Sequence, residues 1–186
     1  MNWTDSTSAS VTSSDMASLR IFFLFALSLP AWGADREAET SRFLSGVFGQ
    51  PPAMATLWLT GELRPAVRAI LDHDYPAARV RYWHAGQRTA WVLDEIGKEM
   101  PITVGIVIGN GTIERMQVLV YRESRGWEVK SPAFTAQYAG ARLEGGQKLD
   151  RQIDGISGAT LSVRALNRLA RLALLFDRHI TKGDQP

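Results

Sequence analysis

The chain has 186 residues, 45% hydrophobic and 22% charged, which suffices for one domain with a hydrophobic core. A formal net charge of +2 without a dense Lys/Arg run leaves no electrostatic footprint for nucleic acid. There is no cysteine, which excludes disulfides, thiolate metal sites, iron–sulfur clusters, cysteine nucleophiles and a cysteine-linked lipid anchor.

Residues 1–15 are polar and rich in Ser and Thr. Then come Met16, Arg20, the apolar stretch Ile21–Leu29, Pro30 and the small residues Ala31 and Gly33. This is the charged, apolar and small-residue order of a secretory signal. The expected start is Met16, with cleavage near Gly33 or Ala34, and an uncleaved membrane anchor or a buried helix is the alternative. Residues 1–33 are therefore read as an N-terminal extension and signal peptide, and 34–186 as one exported domain, periplasmic in location.

Along that domain, 34–49 carries Phe43, Leu44, Val47 and Phe48 and ends at Gly49 and Pro51-Pro52, which predicts a short helix. Leu57 and Leu59 fit one face of a strand. Leu63, Val67, Ile70 and Leu71 mark one side of a helix with Pro65 in its first turn. From Ala78 the period is two: "ARVRYWHAGQRTAWVLDEI" predicts two strands around a turn at "HAGQR". Ile102, Val104, Ile106 and Ile108 alternate up to Asn110-Gly111, the preferred two-residue hairpin turn, and Ile113–Tyr121 runs back. Gly105 and Gly109 predict a bulge or a close approach to the backbone on the other face. A short helix over Phe134–Ala139, an irregular stretch with one short strand, and a long helix from about Ala159 to Ile180 complete the chain. On that helix Leu166, Leu169, Ala173 and Phe176 form one side, and Arg164, Arg168, Arg171 and Arg178 the other. The order predicts an α+β domain on a twisted, mostly antiparallel sheet flanked by helices.

No catalytic or metal constellation is legible. His73, His84 and His179 are far apart, and neither a nucleophile elbow nor a phosphate-binding lysine loop occurs. The acidic pairs Asp72/Asp74 and Asp94/Glu95 read as surface features, and the tryptophans as core or stacking residues.

The stretch that stands out is "DGISGATLS", residues 154–162, directly before the last helix. Ser157 or a neighbour would cap that helix, and its first N–H groups would face an anion with the positive end of the dipole behind them. Gly158 and Ala159 clear space around Thr160. An accessible threonine at an anion-friendly helix start follows from these residues, and so does an ordinary capped helix.

The pattern D-x-x-S-G-A-T, met at Asp154, Ser157, Gly158, Ala159 and Thr160, resembles the attachment motif of the FMN-binding domain family. That family includes the flavinylated subunits of the sodium-pumping NADH:quinone reductase and of the Rnf complex. The similarity extends over roughly 96–180 in the order of hairpin, Glu-containing loop, aromatic helix and motif. The family loop is often Glu-Thr-Pro-Gly-like; here it is Glu123-Ser124-Arg125-Gly126-Trp127.

The resemblance implies covalent FMN in phosphoester linkage to Thr160, placed there by an exported, FAD-dependent flavin transferase that recognises a motif including Asp154. It also implies cofactor contacts from Ser157, Gly158, Ala159, Glu123, Ser124, Gly126 and Trp127. Phe134 and Tyr138, with Trp127, would cover the ring or else pack in the core. Arg122, Arg125 and Lys130, and more weakly Lys98, would favour a reduced, anionic flavin or else be solvated. The function implied is electron transport between a membrane reductase and a periplasmic acceptor, by an electron-transfer flavoprotein rather than a stand-alone catalyst. The alternative is a binding or regulatory module of the same fold without attached flavin.

Overall fold

A computed structural model describes residues 31–49 and 54–183. The predicted signal and the expected start at Met16 lie outside these residues, apart from the segment next to the expected cleavage point. That segment belongs to the first helix, α1 (Ala31–Phe48). No described helix is long and apolar enough to cross a membrane.

Five antiparallel strands form one sheet in chain order: β1 (Met54–Trp58), β2 (Arg79–Ala85), β3 (Arg88–Ile96), β4 (Pro101–Gly109) and β5 (Thr112–Val120). Between β1 and β2 lies α2 (Leu63–Leu71). After β5 come a 3-10 turn at Trp127–Lys130, a short α3 (Pro132–Thr135) running into a second 3-10 turn at Ala136–Tyr138, and a small hairpin of β6 (Leu143–Glu144) and β7 (Lys148–Leu149). The chain ends in α4 (Thr160–Gly183). The α+β expectation holds. The helix predicted over Phe134–Ala139 is instead a series of single turns, and the segment read as one strand is a paired hairpin.

The sheet is covered on both faces, which is why β4 is buried along nearly its whole length rather than on alternate residues. Helices α2 and α4 pack on one face, where Trp91, Leu93, Ile106 and Ile113 meet Leu166, Leu169, Ala173 and Phe176. Helix α1 covers the other, placing Phe43 and Leu44 on Ala90, Val92, Val107 and Leu119. Gly105 carries out its expected role: a Cβ there would lie 2.8 Å from the Phe43 ring, so the glycine lets α1 reach the backbone. Asn110 and Gly111 both have positive φ (52° and 71°), as the two-residue hairpin turn requires.

The predicted basic face of α4 is corrected by the structure. Only Arg164 and Arg178 are exposed. Arg168 pairs with the buried Glu95 at 3.2 Å and with Asp72, and Arg171 donates to the carbonyls of Asn167, Gln147 and Ile70. Glu95 is buried and not a surface acid; His73 Nε2 lies 3.1 Å from the same Oε1 that Arg168 reaches and 3.2 Å from Oε2. The three-layer packing turns this edge of α4 towards α2 and the end of β3, where guanidinium groups meet acceptors instead of water.

Candidate cofactor attachment site

The stretch 153–159 is a surface loop held by three apolar contacts: Ile153 and Ala159 are buried, and Ile156 packs against the core. Ala159 N–H closes a turn on Ile156 C=O at 3.0 Å, and Gly158 sits at φ +81° with open space around it. Helix α4 then starts at Thr160. Ala159, not Ser157, therefore holds the capping position, and it has no side-chain oxygen to offer. The first ladder bond runs from Val163 N–H to Ala159 C=O, so the N–H groups of Thr160, Leu161 and Ser162 have no intrahelical acceptor. Thr160 is exposed. Its hydroxyl thus stands beside free donors at the positive end of a 24-residue helix.

A second loop is pressed against this one. Gly126 has φ +80°, and a Cβ on it would lie 2.9 Å from both the Ala159 Cβ and the Tyr121 hydroxyl. Tyr121 donates to Arg125 C=O at 2.5 Å, which leaves Ser162 Oγ, 3.0 Å away, to donate to Tyr121. The tyrosine fastens loop 121–126 to the first turn of α4. Asp154 N–H is held by Gln137 Oε1 at 2.8 Å, and its carboxylate is exposed.

Glu123 faces the other way. Its Oε1 accepts the N–H groups of Lys98, Glu99 and Met100 and ties down the β3–β4 turn. Burial pushes this carboxyl up, but the three donors and Lys98 outweigh it and hold it below the ordinary carboxylate range. Gly97 leaves the room, since a Cβ there would meet Glu123 Oε1 at 2.7 Å.

The sequence-predicted residues divide accordingly. Thr160, Ser157, Gly158, Asp154, Ser124 and Trp127 are exposed, while Ala159 and Gly126 form the contact between the two loops. Trp127, next to Gly126, is 67% exposed, and Leu161, next to Thr160 in α4, 41% exposed. Phe134 and Tyr138 are buried core residues, and Tyr138 donates to Asn167 at 2.8 Å, so neither is exposed with them. Arg125, Lys130 and Lys98 are exposed, whereas Arg122 is half-buried and donates to Pro101 C=O and Thr103. Sequence reasoning missed the Tyr121–Ser162 latch and Gln137. A serine two residues after Thr160, in the first turn of the predicted helix, was the available signal.

The sequence model of the FMN-binding domain matches residues 97–175. This segment, somewhat under half of the chain, is similar to the FMN-binding domain family. No curated protein matches the chain. The matched segment runs from the turn tied down by Glu123 into α4, and so contains both loops of the candidate site. Its observed features suit FMN. An exposed hydroxyl and unpaired helix N–H groups can hold a phosphate, and two exposed apolar side chains can lie against a flat ring. When bound, FMN supplies one- and two-electron redox chemistry, and the protein supplies position and electrostatics.

Proposed function

We propose that this chain is an exported flavoprotein that carries FMN covalently on Thr160 and passes electrons between a membrane reductase and an acceptor. The observation that carries the reading is the exposed Thr160 hydroxyl, in an Asp154–Thr160 motif whose Ala159 is seated on Gly126. In the attachment step an FAD-dependent transferase joins Thr160 Oγ1 to the phosphorus of the FMN half. The pyrophosphate bond breaks, AMP leaves, and the hydroxyl proton passes to the transferase. The residues of this chain serve that step by exposure. Gly155 and Gly158 stand in open space, Gly158 with φ +81°, and Asp154 is exposed for recognition. The helix-start N–H groups would then hold the phosphate oxygens, and Trp127 and Leu161 would shield the ring.

The test is intact mass and visible absorbance of the full chain co-expressed with an exported flavin transferase. Wild type is expected to be yellow, with an FMN-sized increment on the peptide containing Thr160. Thr160→Ala is expected to be colourless yet folded, and Thr160→Ser to retain at least part of the increment. Unmodified, colourless wild type under these conditions overturns the proposal.

A further inference from the structure

A groove of about 850 Å³ lies at the opposite end of α4 from Thr160, bounded by the β2–β3 and β4–β5 turns and the last turns of the helix. Asp177 lines it, about 25 Å along the helix from Thr160 at 1.5 Å per residue. This size suits a drug-sized ligand.

The groove contains a largely buried acid that makes a single side-chain hydrogen bond among the described residues. Asp177 is 6% exposed. Trp91 Nε1 donates to Thr89 Oγ1 at 3.0 Å, which directs the threonine's own proton to Asp177 Oδ1 at 2.6 Å. That is the carboxylate's one hydrogen bond among the described residues, and none of the ion pairs there involves it. Burial pushes the carboxyl above its ordinary range, with the Thr89 bond opposing. Asp177 lines the groove, so its remaining acceptor capacity is open to water or to a donor on a ligand.

The other walls define what that ligand carries. Leu174 and Leu143 are apolar, and Tyr82, stacked on Trp91 with centroids 4.8 Å apart, adds an aromatic side. Arg142, Arg178 and Lys182 stand exposed at the rim, outside any ion pair among the described residues. A flat body with an N–H donor at one end and an anion at the other satisfies all three.

We propose that this groove is a second ligand site, separate from the flavin attachment, and that it binds a mononucleotide. The base N–H groups donate to Asp177, the ring lies against the Tyr82 side, and the phosphate meets Arg142, Arg178 and Lys182.

Calorimetric titration of the full chain with GMP, AMP, UMP and inorganic phosphate tests this. At least one nucleotide is expected to bind with one-to-one stoichiometry. Asp177→Asn removes a charged acceptor, and binding is expected to weaken about tenfold or more. An Arg178→Glu/Lys182→Glu double variant is expected to weaken it similarly, and Thr160→Ala to leave it unchanged. Asp177→Asn is nearly isosteric and removes a buried charge, so its melting temperature is expected to stay level or rise, which separates lost binding from lost folding. No binding by any nucleotide at about 1 mM, where the free energy is only about −4 kcal/mol, overturns the proposal. So does equal binding by Asp177→Asn, or phosphate alone binding as tightly as the nucleotides.

Discussion

At Gly126 one methyl group separates two outcomes. The residue combines φ +80° with contacts of 2.9 Å that a Cβ would make to Ala159 and to the Tyr121 hydroxyl. Gly126→Ala is therefore expected to cost about 1–3 kcal/mol, the usual range for a non-glycine held in that backbone region. It should also push the two loops apart, so that flavin incorporation falls more than urea-monitored stability does. Glu123 makes a prediction about acid. Its folded-state pKa lies below the ordinary value of 4.5, so its contribution is complete above that pH and is lost as pH falls through the lower folded value. Hydrogen exchange at the amides of Lys98, Glu99 and Met100 is expected to accelerate over that acidic window relative to the rest of β4, and Glu123→Ala to show the fast rate at neutral pH. Unchanged exchange in Glu123→Ala would mean that the turn is held by something else.

Helix α4 does two kinds of work. Its inner side supplies much of the core, through Leu166, Leu169, Ala173 and Phe176. One edge carries Arg168, whose guanidinium bridges Glu95 on β3 and Asp72 at the end of α2. Asp72 takes positive φ (66°) there, where its N–H caps α2 on Arg68 C=O. Removing one member of a buried pair strands the other. Arg168→Met is thus expected to destabilise by about 3–5 kcal/mol, and Arg168→Met/Glu95→Leu to recover most of the loss. Chemical denaturation of the two variants measures both numbers; a double variant no more stable than the single would contradict the pairing. The first turn of the same helix has no side-chain cap from Ala159, a small stability loss that keeps its donors available.

For the molecule as a whole, α1 decides how much of the sheet is wet. Without it Ala90, Val92, Val107 and Leu119 would face solvent as one apolar patch on the sheet. Phe43→Ala is expected to cost about 3–5 kcal/mol, as a large aromatic truncation in a core does, and to increase binding of a hydrophobic dye. A cost under about 0.5 kcal/mol, the level of a surface change, would show that α1 is dispensable to the domain. The segment that matches the FMN-binding domain begins at residue 97, yet β4 pairs with β3 along its whole length, so the two loops of the candidate site depend on strands outside the match.

The sequence by itself determined what is local. Period-two apolar runs and Asn110-Gly111 defined the hairpins, period-3.6 runs defined α2 and α4, and the residues of the 154–160 motif marked the candidate attachment site. Each of these signals is carried by neighbours in the chain, and backbone geometry converts spacing directly into a face or a turn. What only the tertiary structure decided depends on partners far apart in sequence. Arg168 and Arg171 look like a solvated stripe until Glu95, Asp72 and Ile70 are brought to them. Phe134 and Tyr138 look like ring-stacking candidates until the core closes over them. Asp177, an unremarked acid late in a helix, is buried beside Thr89 because strand and helix pack across 88 positions of sequence. Burial and long-range pairing are properties of the assembled layers, and no spacing rule along the chain encodes them.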